Sequence, residues 1–127
     1  MGTIARSYRE LDVYKAAIEL QHNIFKETKS WPADEKYSLT DQIRRSSRSI
    51  GANVAEAWAK RRYPAHFLSK LTDSDGELLE TIHWLDTARA CGYLPELDYL
   101  KASEMAGRLA RRLGSMIASY ESFCLTV

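Results

Sequence analysis

The sequence is poor in the residues that mark turns, secretion and membrane insertion. It contains three prolines and six glycines in 127 residues, too few for the frequent turns of an all-β architecture. It has no run of about 18 apolar residues, which argues against a membrane-spanning helix. No apolar stretch follows the start of the chain, so we expect no signal peptide and a cytoplasmic protein.

An excess of either charge is also lacking. The 18 basic and 17 acidic residues give a net charge of +1, whereas a strong nucleic-acid binder usually carries a larger basic excess. The overall charge therefore gives no support to nucleic-acid binding. The apolar share of 45% and the charged share of 28% are typical of a soluble globular protein. The length predicts one domain over residues 1–127.

Recognisable catalytic and metal-binding motifs are absent from the sequence. His22, His66 and His83 fall on three different predicted helices, with no second ligand at metal-binding spacing beside them. No glycine-rich phosphate loop, nucleophile elbow or paired-cysteine zinc pattern is present. Cys91 and Cys124 lie near the ends of separate predicted helices and are expected to remain thiols. We therefore predict a non-enzymatic protein with no cofactor and no metal.

Apolar residues recurring every three or four positions predict an all-α protein. The periodicity indicates four helices, at residues 8–29, 39–60, 64–91 and 95–123. Short connections favour an antiparallel up-down-up-down four-helix bundle. Ser7 with Glu10 has the spacing of a capping box before the first helix, and Ser38 with Asp41 is a weaker version before the second. Gly92 is suited to end the third helix.

The third predicted helix has the longest seven-residue repeat of core positions among the four helices. Its expected core stripe consists of Pro64, Leu68, Leu71, Asp75, Leu78, Ile82, Leu85 and Arg89. Phe67, Leu79 and Trp84 widen this face, and Asp75 interrupts it. In the fourth helix, Gly107 and Gly114 are seven residues apart and would let another helix approach closely.

The segment from Leu39 to Arg62 is the one around which the chain is organised. Its apolar positions form a core-facing stripe, and Arg44, Arg45 and Arg48 fall on the opposite side. Such a helix must be covered on at least one side. Asn53 borders the apolar stripe, so its amide is expected to be hydrogen-bonded inside the bundle.

Charges are distributed unevenly along the chain. Residues 44–62 contain six basic residues and the single acid Glu56, whereas residues 73–98 contain seven acids and one base. Antiparallel pairing of the second and third helices would place Glu80 level with Arg44, and Glu77 level with Arg48. Two interpretations remain open: solvated helix faces, or a partly buried arginine–carboxylate network that fixes register within or between subunits.

Several segments resemble a known family. Leu11–Leu20, Tyr37–Ala57, Ser74–Leu78 and Gly92–Leu94 are similar to the four-helix-bundle proteins encoded by intervening sequences in bacterial 23S ribosomal RNA genes, the S23 ribosomal protein-like family. That family includes the accessory variability protein of diversity-generating retroelements. The resemblance covers roughly residues 8–120.

The resemblance implies a four-helix bundle that assembles into a homopentameric ring. The retroelement member is a basic barrel that binds its reverse transcriptase and nucleic acid, whereas the present chain is nearly neutral. The family's shared polar positions correspond to Arg44, Arg45, Asn53, Glu56 and Glu77, which are expected to have structural or assembly roles. Glu80 is expected to have such a role from its level beside Arg44.

Two functional hypotheses follow. The first is a ring-forming assembly or scaffold protein that acts by binding itself and a protein partner. The second is an RNA- or DNA-binding accessory factor whose basic patch comprises Arg44, Arg45, Arg48, Lys60, Arg61 and Arg62. The position of the charges distinguishes them: an exposed basic face favours the second, and a face covered by carboxylates of the third helix favours the first. We expect weak or no nucleic-acid binding and no membrane association.

Overall fold

The computed structural model describes residues 5–125, and these contain helices and no strand. The helices are α1 (Asp12–Thr28), α2 (Asp41–Trp58), α3 (Pro64–Ala90) and α4 (Glu96–Ala118). Each packs against two neighbours, in the order α1, α2, α3, α4 and back to α1. The all-α prediction and the four-helix bundle are confirmed.

Pairings between helices show that α3 runs antiparallel to its neighbours α2 and α4. Arg45 of α2 contacts Glu77 of α3, whereas Glu56, further along α2, contacts Lys70, earlier on α3. The residue numbers therefore rise on one helix as they fall on the other. The pair between Arg89 and Glu96 and the hydrogen bond from Tyr99 to Asp86 give the same antiparallel order for α3 and α4.

The first helix begins later than expected. Tyr8–Glu10 forms a short 3-10 turn, and extended backbone at Leu11 separates it from α1. Ser7 Oγ accepts a hydrogen bond from the Arg9 amide at 3.2 Å, while Glu10 Oε2 accepts one from the Arg6 amide at 2.8 Å. The predicted capping residues thus stabilise the 3-10 turn and not the start of α1.

The predicted cap of the second helix is wrong. Lys36–Thr40 forms a π-helical turn that runs directly into α2, and Ser38 is exposed within it. Thr40, the residue before α2, has helical backbone angles and makes no side-chain cap bond. Because the backbone is already helical there, α2 has no extended N-cap residue at which Ser38 could act.

The end of the third helix is as predicted. At the other end of this helix, Pro64 occupies the first turn, where a missing amide proton costs nothing. Gly92 follows the helix with φ of +77°. Its amide donates to Arg89 O and the Tyr93 amide donates to Ala88 O, both at 3.0 Å. These two bonds form a Schellman motif, which requires the left-handed conformation that glycine adopts without strain.

The buried stripe of α3 differs from the predicted one. It consists of Phe67, Leu71, Ser74, Leu78, Thr81, Leu85 and Ala88. The leucines at 71, 78 and 85 are predicted correctly, but Leu68, Asp75, Ile82 and Arg89 lie beside the stripe. Leu79 is 60% exposed, so it does not widen the core face. The error arises because two of the true core positions are polar.

Small polar side chains join α2 and α3 inside the bundle. Ser74 Oγ donates to Ile50 O at 2.8 Å, and the hydroxyls of Ser46 and Thr81 share a hydrogen bond of 2.8 Å. All three of these side chains are fully buried. Because each of these three hydroxyls has a partner, none of them is left unsatisfied where α2 and α3 pack closely.

Candidate functional site

Arg45 lies where α2 meets α3, and its guanidinium contacts two carboxylates. Its Nη1 is 3.4 Å from Glu77 Oε2, and its Nη2 pairs with Glu80 Oε2. Glu80 Oε2 also accepts a hydrogen bond from the Trp84 indole at 3.2 Å. Hydrogen bonds to Glu80 and Glu77 raise the pKa of Arg45. The cluster is therefore an ion-pair network at the surface edge of the α2–α3 contact.

This network differs in one respect from the sequence expectation. Glu77 and Glu80 lie opposite the expected turn of α2, but their partner is Arg45 and not Arg44 or Arg48. Side-chain exposures of 50% for Arg45, 24% for Glu77 and 36% for Glu80 show that only Glu77 is largely covered. A role of this network between subunits stays a prediction.

Arg44 and Arg48 lie on the other edge of α2, facing α1. Arg44 Nε donates to Thr28 Oγ1 at 2.8 Å, and its guanidinium lies 5.1 Å from the centre of the Phe25 ring. Arg48 lies 5.7 Å from the same ring, and Lys29 Nζ lies 4.7 Å from it. No carboxylate of residues 5–125 lies within 4.0 Å of these three cations.

The remaining basic residues of the predicted patch lie at the opposite end of α2. The sixteen residues from Arg44 to Lys60 correspond to about 24 Å along a helix. Arg61 stacks on the Trp58 ring at 3.6 Å and donates from Nε to the Trp58 carbonyl at 2.9 Å. Lys60 and Arg62 are exposed. The six basic residues are thus divided among three places and do not form one continuous patch.

Asn53 and Glu56 occupy the α3-facing edge of α2. Asn53 is half-buried, and its Nδ2 donates to the Ser49 carbonyl of its own helix at 2.9 Å. The expected hydrogen bond into the bundle interior is not formed. Glu56 Oε2 accepts from Lys70 Nζ at 2.8 Å, which raises the pKa of Lys70. Glu56 therefore forms a second ion pair between α2 and α3. Among the described residues, the Asn53 side chain forms no hydrogen bond to another helix.

Large apolar side chains remain exposed on α3 and α4. Leu79 is 60% exposed, Leu97 80% and Leu100 53%. On α4, an added Cβ at Gly114 would meet nothing within 4 Å, and one at Gly107 would meet only an arginine side chain. No helix of the described chain therefore makes the close approach that these glycines permit.

Three arginines of α4 form a basic group that the predicted patch does not include. Arg108, Arg111 and Arg112 are exposed, and none lies within 4.0 Å of a carboxylate of residues 5–125. Their spacing of three and one residues places them on one side of a helix. That spacing in the sequence is the signal that could have identified them.

The part of the chain that the structure describes contains no cluster of histidine, cysteine and carboxylate groups able to hold a metal ion. His22, His66 and His83 are each exposed, and none belongs to such a cluster. Cys91 and Cys124 are free thiols. Within residues 5–125, no helix has the length and hydropathy needed to cross a bilayer.

Comparisons with known proteins give a family and a fold. A family model described as 23S rRNA-intervening sequence protein matches residues 9–115. A crystal structure of a protein of unknown function from the S23 ribosomal protein family of Bacteroides thetaiotaomicron VPI-5482 is similar, with 28% sequence identity and a TM-score of 0.75. The match covers 84% of this chain and 95% of that one. No curated protein sequence matches the chain.

Proposed function

We propose that this chain, which belongs to the 23S rRNA-intervening sequence protein family, is a non-enzymatic assembly protein that acts through protein–protein contacts. The match of the family model to residues 9–115 confirms the family resemblance noted in the sequence. The similar crystal structure is itself of a protein with unknown function, so the comparisons supply no activity. The proposal is supported instead by the surface that α3 and α4 present.

Exposed leucines carry this proposal. Leu79, Leu97 and Leu100 are each more than half exposed, and they belong to two helices that pack against each other. Burial of apolar surface is favourable by about 25 cal/mol per Å². The occupant we propose is a second copy of the same chain, since Gly107 and Gly114 leave α4 open to a close neighbour. The family resemblance favours five copies in a ring.

The proposed interface is tested by a double substitution, Leu97→Glu with Leu100→Glu. Both side chains point away from the core, so the fold should be retained while self-association is lost. The matched control is Tyr37→Glu, which removes an exposed apolar side chain (73%) outside α3 and α4. Sedimentation velocity should show a smaller species for the double variant alone. An unchanged sedimentation coefficient in that variant would place the interface elsewhere.

One observation favours the second function, binding of RNA or DNA as an accessory factor. Lys29, Arg44 and Arg48 surround Phe25, and the exposed Lys29 and Arg48 can contact phosphates. Against it, Arg45 is paired with carboxylates of α3, and Lys60–Arg62 lie at the far end of α2. The geometry therefore supports assembly more strongly than nucleic-acid binding.

A further inference from the structure

A cleft of about 850 Å³ lies at the end of the bundle where α1 begins and α4 ends. Leu11, Val13 and Met116 contribute apolar surface to it, and all three are buried. The end of α2 and the 3-10 turn Tyr120–Phe123 complete its walls. Its volume falls within the range of about 300–1,000 Å³ that small-molecule sites occupy.

The polar lining of this cleft includes more basic than acidic residues. Arg61, Arg111 and Arg112 border it, and no carboxylate of the described residues lies within 4.0 Å of their guanidinium groups. Two carboxylates also border it. Glu10 already accepts a hydrogen bond from the Arg6 amide, and Asp12 occupies the first turn of α1, where the helix dipole favours a negative charge. These arginines therefore have no carboxylate partner among the described residues. Arg111 Nη1 lies 3.5 Å from the Cβ position of Gly107, a residue outside the cleft lining, which leaves Arg61 and Arg112 as the candidate anion ligands.

Trp58 fixes the orientation of the Arg61 side chain, and Leu125 bonds to the Arg61 backbone. Its guanidinium stacks on Trp58 at 3.6 Å and its Nε donates to the Trp58 carbonyl. The carbonyl of Arg61 accepts a hydrogen bond from the Leu125 amide at 3.0 Å. The side chain is half-buried. With Nε engaged, the two Nη groups remain available as a preorganised fork for a planar or tetrahedral anion.

We propose that this cleft binds a small organic anion in which a carboxylate or phosphate group is joined to an apolar body. Arg61 and Arg112 hold the anionic group, because guanidinium groups form strong charge-assisted hydrogen bonds to carboxylates and phosphates. The apolar body covers Leu11, Val13 and Met116. This binding site is separate from the leucines of α3 and α4, so it does not depend on the proposed self-association.

Titration of the isotope-labelled full chain with three probes tests the proposal. Naphthalene-1-acetate and 1-naphthyl phosphate carry the two anionic groups, and naphthalene-1-acetamide has a matched apolar body without charge. Nuclear magnetic resonance follows the Trp58 indole and the Val13 and Met116 amides. We expect these signals to shift with at least one anion, and the acetamide to bind about tenfold more weakly. The tighter of the two anions identifies the preferred head group.

Substitutions locate the binding and keep the test decisive. Arg112→Gln changes an exposed residue, so the fold should survive, and it should weaken the anion about tenfold while leaving acetamide binding unchanged. Arg61→Gln should do the same, with circular dichroism confirming its fold. The matched control, Arg48→Gln, lies outside the cleft and should have no effect. The proposal would be overturned if the anions and the acetamide bound equally well, or if Arg112→Gln and Arg48→Gln had equal effects. It would also be overturned if millimolar probe shifted none of these signals.

Discussion

Arg45 on α2 is the cation that neutralises the buried Oε2 atom of Glu77 on α3. Glu77 Oε2 is buried and accepts no hydrogen bond in the described structure, but it lies 3.4 Å from Arg45 Nη1. The contact spans the most extensive helix–helix interface of the bundle. Removal of Arg45 would therefore leave a covered negative charge without its counter-ion.

The first prediction concerns this dependence. Arg45→Ala should lower the free energy of unfolding by about 1–2 kcal/mol, because a covered charged group is left unpaired. Arg45→Ala combined with Glu77→Ala should cost less than the sum of the single substitutions, since the unpaired carboxylate is then absent. Urea unfolding measures all three. Arg48→Ala is the control and should change stability by no more than about 0.5 kcal/mol. Additive losses would contradict the account.

A second prediction contrasts two glycines. A Cβ at Gly51, buried in α2, would lie 3.5 Å from the Tyr14 ring and 3.6 Å from Ala17, which are ordinary contact distances. Gly51→Ala should therefore stabilise the fold by about 0.5–1 kcal/mol through helix propensity. Gly92→Ala should destabilise it by about 1 kcal/mol, because its φ of +77° strains a side-chain residue. Thermal unfolding distinguishes the two; a loss of stability in Gly51→Ala would show that α1 and α2 cannot accommodate a methyl group.

The third prediction concerns pH. Burial and the nearby Asp98 carboxylate raise the pKa of Glu27, although Lys101 partly opposes them. A folded-state pKa above the unfolded value means that ionisation disfavours the folded state, so stability falls as pH rises through that pKa. Glu27→Gln should therefore be more stable than the parent at pH 7, with the difference shrinking towards pH 4. The control Glu19→Gln makes the same change at an exposed α1 position, which separates the effect of burial from that of losing a charge. A pH-independent difference in urea midpoint would refute the assignment.

The fourth prediction concerns nucleic acid. Within residues 5–125, Lys29, Arg44 and Arg48 cluster around the Phe25 ring. A footprint of three cations should bind duplex DNA no more tightly than about 10 µM at physiological salt. Three phosphate contacts would give a log–log salt slope of about −2.7. Fluorescence anisotropy with structured RNA and duplex DNA across a salt series measures both quantities. Submicromolar binding that disappears after alanine replaces all three cations, but survives Arg45→Ala, would make the accessory-factor function the leading one.

The sequence predicts the helices well and their interiors less well. Leucines at 71, 78 and 85 identify the core side of α3, but Ser74 and Thr81 are buried there because hydroxyl partners on α2 satisfy them. A pattern based on apolar residues alone assigns such positions to Leu68 and Ile82. The cost of burying a serine depends on its partner, which the local sequence does not contain.

The charged surface could be predicted only in part. Antiparallel pairing gives the correct level for Glu77 and Glu80, but Arg44 and Arg45 diverge because successive residues on a helix point about 100° apart. One therefore faces α1 and the other α3. The cleft could not be predicted at all, since its lining combines Arg61 with residues of α1 and α4 from distant parts of the chain.

The mass of the native protein in solution shows whether the chain self-associates. Light scattering coupled to size-exclusion chromatography, at micromolar concentration, should give about five times the chain mass of 14.5 kDa. The Leu97→Glu, Leu100→Glu variant should elute at the mass of a single chain while retaining its helical circular dichroism. A wild-type protein that scatters as a 14.5 kDa monomer throughout this range would contradict the account.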